Sequence, residues 1–159
     1  MTTVVGTRAR RLDGEGKVTG RARYASDHKP AGMLYGKIVR SDRPAARIVS
    51  LDTSAAEALP GVWAVLSGEG SWRQFGEVVK DQLVFSVDKV RCAGEPLAAI
   101  AAETPEIAEM AAQLIEVEYE DLPSVFAPEA ALEPDAPLVH ADVAKLPGPP
   151  DLIREGNIC

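Results

Sequence analysis

Three short stretches carry residue types that can do chemistry. In Gly14-Glu15-Gly16-Lys17-Val18-Thr19-Gly20, glycines surround a lysine as they do in loops that cradle phosphate. A Walker loop, however, needs a glycine five residues ahead of its Gly-Lys pair, and Arg11 stands there. The dinucleotide-binding spacing is missed by one residue, so the stretch reads as a turn that leads into a strand. Gly94-Glu95-Pro96 and the row Glu116, Glu118, Glu120, Asp121 supply carboxylates. Two carboxylates divide acid and base work only when one lies in an apolar pocket and the other is solvated. Alternation instead sends the glutamates off one strand face into water, and Glu95 reads as an acceptor that fixes its turn. No nucleophile has a neighbouring base. Cys92 and Cys159 give no metal-ligand spacing and no disulfide framework. Cys92, in line with Val90, reads as a small buried core residue. His28 and His140 are the two imidazoles and read as surface turn residues, which leaves no zinc or iron site to assemble. No catalytic, cofactor-binding or metal-binding residue is assigned.

A further candidate is Lys89, flanked by Val87, Asp88 and Val90. A lysine at an exposed hairpin tip looks like the one that lipoyl carrier domains present for attachment of their prosthetic group. Such carriers are shorter and mostly strand, so a helix after Thr104 has no place in them. A self-sufficient binding or lipoyl-like carrier module with Lys89 at a hairpin tip is therefore the alternative reading of the chain.

The elements that must position these residues are clearest from Val87 to Pro123. Leu97 to Ala102 is a short apolar run led in by Gly94 and Pro96, which predicts a strand covered on both faces. Thr104 supplies an N-cap hydroxyl, Pro105 fits the first helical position, and Glu106 puts negative charge beside the helix dipole. Ile107, Met110, Ala111 and Leu114 then form one apolar stripe. From Ile115 the period changes to two, with Ile115, Val117 and Tyr119 facing in and Glu116, Glu118 and Glu120 facing out, a half-buried strand. Earlier, strands are expected near residues 34–39, at Ile48 and Ser50, and at Val62, Ala64 and Leu66, with a short helix from Asp52 to Ala58 stopped by Pro60 and Gly61. Pro128 to Leu132 predicts a helical turn and Leu138 to Val139 a last extended piece. Trp72 to Lys80 gives no clear pattern. The alternation of strands with two short helices makes the chain α+β.

The stretch from Val87 to Pro123 closely resembles the N-terminal α/β hammerhead domain of the large, molybdenum-binding subunit in the xanthine dehydrogenase and aldehyde oxidase family. Arg11-Leu12-Asp13 with Lys17-Val18-Thr19-Gly20-Arg21-Ala22-Arg23-Tyr24-Ala25 resembles that family's opening, where the chain enters its first strand. Met33 to Ser41 and Ala46 to Asp52 resemble its next two strands, and Asp52 to Val62 its first helix and exit. The resemblance runs from about Arg11 to His140 and implies a small mixed β-sheet with two short helices. The domain order expected is a flexible arm at 1–10, where no periodicity appears, the hammerhead at 11–143 that the resemblance implies, and a linker at 144–159, marked by Pro147, Pro149 and Pro150, towards an absent cofactor-binding region.

By the same resemblance the full enzyme hydroxylates a heterocycle or aldehyde with water-derived oxygen. It uses molybdopterin with molybdenum, iron-sulfur clusters and FAD, none of which this chain is expected to hold. The chain is expected to be a non-catalytic structural fragment, inactive alone. Its expected partners are the downstream molybdopterin-binding domains and the iron-sulfur and flavin subunits, since Met1 lies only ten residues ahead of the matching region. Composition adds exclusions. The 159 residues are 46% hydrophobic, enough for one modest core, with no run that approaches a membrane span. A net charge of -7 with scattered Lys and Arg argues against nucleic-acid binding. Arg10 and Arg11 are followed by a polar stretch where an export signal needs an apolar one, so a cytoplasmic location is expected.

Overall fold

A computed structural model describes the chain apart from residues 1–5, 7, 9, 70–72, 142–144, 147, 150, 152, 154 and 159. The arm expected at 1–10 and Trp72 lie largely or wholly outside the described residues. Contacts divide the chain after Met33 into two compact units. In the first, Gly14–Val18 forms a short helix, α1. Asp13 pairs at 2.6 Å with both Arg11 Nε and Lys17 Nζ, and these cations, Arg11 first, hold its carboxyl below the ordinary range. Thr19 Oγ1 donates to the Glu15 carbonyl at 2.7 Å. The glycine-rich stretch is thus a helical turn with its own ion pairs rather than the turn before a strand that the sequence predicts. Residues 17–25 form no strand; a 3-10 turn follows at Ala25–Asp27.

The second unit holds the rest: β1 (Tyr35–Arg40), β2 (Ala46–Asp52), α2 (Ser54–Glu57), β3 (Val62–Ser67), β4 (Gln74–Phe75), β5 (Gln82–Leu83), β6 (Lys89–Val90), β7 (Pro96–Ala102), α3 (Pro105–Gln113), β8 (Glu116–Asp121) and α4 (Pro128–Ala131). All pairs are antiparallel. One sheet has the order β1-β7-β3, a second β6-β2-β8, and β4-β5 is a small ribbon.

The apolar run is β7, the central strand of the first sheet. Its Leu97 and Ile100 are almost fully buried on opposite faces, each worth about 2 to 3 kcal/mol of burial. Ile100 and Ala102 pack with Ala108 and Ala111 of α3 and Ala56 of α2, while Leu97 packs with Ala46 of β2 and Val90 of β6. One strand therefore feeds both cores. The helix start follows the sequence: Thr104 Oγ1 accepts the Ile107 N–H at 3.2 Å, and Pro105 opens α3. Local hydrogen bonding, from its own backbone N–H first and Thr104 second, holds the Glu106 carboxyl low.

The buried face of α3 keeps Ile107 and Ala111 of the predicted stripe and leaves out Met110 and Leu114. Ala108 and Ala111 are buried, with Ile107, Ala112 and Ile115 packed beside them, whereas Met110 and Leu114 remain 54% and 40% exposed. Alanines let the helix lie close on a sheet that itself presents Ala102, and long side chains are displaced to the flank. Gly61 serves the same approach: its φ is +88°, and a Cβ there would stand 2.7 Å from Ile107 Cδ1.

The strands that flank α3 enter different sheets, since β8 leaves β7 and pairs with β2. Its cross-strand partners suit its charge: Glu120 meets Arg47 at 3.0 Å, and Glu118 accepts from Ser50 Oγ at 3.4 Å. In β3 a register shift between Val62 and Ala64 interrupts the predicted alternation, so Val65 joins the core and Leu66 faces out. Asp52 accepts the Ser54 N–H at 2.9 Å ahead of α2. Leu138 and Val139 form no strand.

Candidate functional site

The most featured surface of the second unit lies at the end of the β6-β2-β8 sheet. Its foundation is the turn from Cys92 to Glu95. Gly94 has φ +94°, a conformation that favours glycine. The turn is tied to the buried Ser41, whose N–H donates to the Glu95 carbonyl at 2.9 Å and whose carbonyl accepts the Gly94 N–H at 2.8 Å. Arg40 adds a bond to the Gly94 carbonyl at 2.7 Å. Glu95 Oε2 accepts from Ser86 Oγ at 2.6 Å. This is the turn-fixing role its position suggests.

Cys92 departs from the sequence reading. β6 ends at Val90, so alternation does not continue, and Cys92 is exposed rather than core. Its Sγ lies 3.8 Å from Glu95 Oε1. Partial desolvation first, and the Glu95 charge second, push its pKa up, which keeps it a thiol and makes it a poor nucleophile. Cys159 lies outside the described residues. Lys89 also departs: it sits within β6, paired across to Arg47 of the distant β2, and not at a hairpin tip. The lipoyl-like reading loses its geometric basis there.

His28 is an exposed turn residue, as expected. His140 is not a plain surface residue: its side chain is half-buried, with Nε2 3.4 Å from Asp81 Oδ2. Desolvation first, and the nearby Arg91 second, outweigh Asp81 and lower its pKa, so the ring is held neutral near pH 7. A neutral histidine beside an aspartate is half of a proton-transfer relay, yet among the described residues no hydroxyl or thiol is hydrogen-bonded to it. Glu116, Glu118 and Glu120 point to solvent as predicted, and Lys89 and Arg91 meet none of them.

Between these elements lies a groove of about 440 Å³, walled by residues 44–45, 89–93, 122–126 and 137–139. Its walls are mainly apolar, with Phe126 83% exposed at the rim. A second hollow of about 430 Å³ shares Val125, Phe126 and Val139 with it. Arg91 lines the groove and two further hollows beside Asp81 and His140. Its Nε is buried with no hydrogen-bond partner. Sequence reasoning missed this site because four separated segments build it.

Among the described residues no group of three or more His, Cys, Asp or Glu could hold a metal ion, and no helix is long and apolar enough to cross a membrane. An iron-sulfur cluster needs about four thiolates, and the chain has two cysteines. The groove's apolar walls likewise offer little to the hydrogen-bonding edges of a pterin. The described residues thus offer no ligand set for an iron-sulfur cluster.

Residues 19–123 match the family described as aldehyde oxidase and xanthine dehydrogenase, a/b hammerhead domain. The chain belongs to that family, as its α/β hammerhead domain. It is 48% identical over 134 residues to a probable xanthine dehydrogenase subunit of Bacillus subtilis, covering 83% of this chain and 18% of the relative. It is 42% identical over 141 residues to the nicotinate dehydrogenase large molybdopterin subunit of Eubacterium barkeri, covering 87% and 33%. The fold superposes on the Cu,Mo-CO dehydrogenase with a TM-score of 0.78 at 37% identity, over 87% of this chain and 18% of that one. The chain thus spans between about a fifth and a third of the length of these relatives.

Proposed function

We propose that this chain is a non-catalytic structural domain of a molybdenum hydroxylase, and that its work is to pack against the molybdopterin-binding part of the large subunit. The observation that carries this reading is the extent of the match: the hammerhead aligns along its length, yet fills only 18% of the Bacillus subtilis relative. In the complete enzyme, molybdopterin, iron-sulfur clusters and FAD would lie in other domains and subunits and carry out the oxidation of a heterocycle or aldehyde with oxygen from water. Residues 11–143 make up the packing domain and 144–159 the Pro-rich link onward. A cytoplasmic setting suits a chain whose Cys92 is an exposed free thiol. The test is elemental analysis and dye-coupled oxidation with aldehyde and purine substrates on the purified, folded monomer. Neither molybdenum nor turnover is expected; stoichiometric molybdenum, or turnover that follows the protein through purification, would overturn the proposal.

A further inference from the structure

We propose that the groove at the end of the β6-β2-β8 sheet receives an acidic, apolar polypeptide segment from the rest of a large molybdopterin subunit, with a carboxylate on Arg91 and an apolar side chain against Phe126. This rests on the reading of the chain as a packing domain and adds where it packs and against what chemistry.

Three observations support it. The first is Arg91. A guanidinium N–H buried without an acceptor carries an uncompensated desolvation cost, and that is the state of its Nε. Arg43 and Arg47 have carboxylate partners. Neither Arg91 nor Lys89 has an ion pair within 4.0 Å among the described residues, although the chain carries a net charge of -7. An incoming carboxylate would not reach the buried Nε itself but would pair with the Arg91 charge through the guanidinium's other N–H groups, with charge-assisted bonds in a partly desolvated place.

The second observation is the apolar rim. Phe126 is 83% exposed and Leu138 49%, an arrangement typical of residues that anchor a protein interface. The third is shape. The groove and the second hollow, about 440 and 430 Å³, share Val125, Phe126 and Val139 among their lining residues. Two adjoining open hollows leave room for a chain segment that passes from one to the other. The short turn that forms one wall is fixed by Gly94, Ser41 and Glu95, so the site is largely pre-organised.

The probe for the test is the Bacillus subtilis relative deprived of its matched segment, confirmed as folded by circular dichroism and a cooperative thermal transition before it is immobilised and titrated with this chain. A complex is expected that weakens about tenfold or more with Arg91→Glu and with Phe126→Ala, and that weakens with rising salt for the wild type but less so for Arg91→Glu. Leu66→Ser, on the other sheet, should bind as wild type. Because Phe126 is exposed, its variant keeps the test independent of any folding defect in Arg91→Glu. A complex unaffected by both groove substitutions, with native circular dichroism, overturns this inference and leaves the packing-domain reading standing. Absence of any wild-type complex overturns both. Self-association of the chain that these substitutions dissolve would assign the groove to a second copy and overturn the proposal.

Discussion

The two sheets of the second unit are finished to different degrees, although β7 feeds the core on both of its faces. On the face towards α3, β7 presents Ile100 and Ala102 to Ala108, Ala111 and Ala56, all nearly inaccessible to solvent. At the far end of the β6-β2-β8 sheet, apolar and cationic side chains stand open. Phe126 is exposed, Arg91 has a buried N–H without an acceptor, and His140 is kept neutral. The first region is closed because small side chains allow close approach on every side. Among the described residues, no element covers the second. What differs is completeness, and the incomplete surface is the one on which the proposed polypeptide segment would lie.

Substitutions at the two regions should separate them most sharply. Ile100→Ala removes a side chain from the closed core and should cost about 2 to 5 kcal/mol in chemical denaturation, while Phe126→Ala should stay within about 0.5 kcal/mol. Equal losses would mean that the groove is part of the core and that the contrast fails. A smaller effect belongs to the helix that seals the first region. Thr104→Ala leaves the Ile107 N–H without its acceptor and should cost about 1 kcal/mol, with Thr104→Ser close to wild type.

The smallest effect concerns pH and the second region alone. His140 has a folded pKa below its ordinary 6.5, so the unfolded chain binds its proton more readily. Its contribution is present above 6.5 and is lost as pH falls through the lowered folded value. Stability should therefore decline below about 6.5 more steeply in the wild type than in His140→Gln, read from denaturation midpoints across pH. Parallel curves would remove His140 from the account.

Much of the closed region was legible in the sequence, because its signals are local. Thr104-Pro105-Glu106 marks a helix start whatever surrounds it, and Leu97 to Ala102 is a two-faced apolar run. Of the predicted stripe, Ile107 and Ala111 do face the core; what failed was Met110 and Leu114, which outrank alanine in hydrophobicity where the close sheet takes Ala108 for its size. The open region was barely legible. Continuing the alternation from Val90 placed Cys92 inside, whereas the chain turns at Gly94; Lys89 gave no hint that it pairs with Arg47, more than forty residues away. The groove needs residues from 44–45, 89–93, 122–126 and 137–139 at once, and no local pattern announces a site built by tertiary contact.

The central claim is that this domain is finished on one side and awaits a partner on the other. Amide hydrogen exchange of the chain, alone and bound to the remainder of the Bacillus subtilis relative, tests it most directly. The account predicts new protection at Leu122 to Phe126 and at Leu138 and Val139, with Ala108 to Gln113 already protected and unchanged. Protection that appears across the α3 face and leaves the groove segments as they were would contradict it.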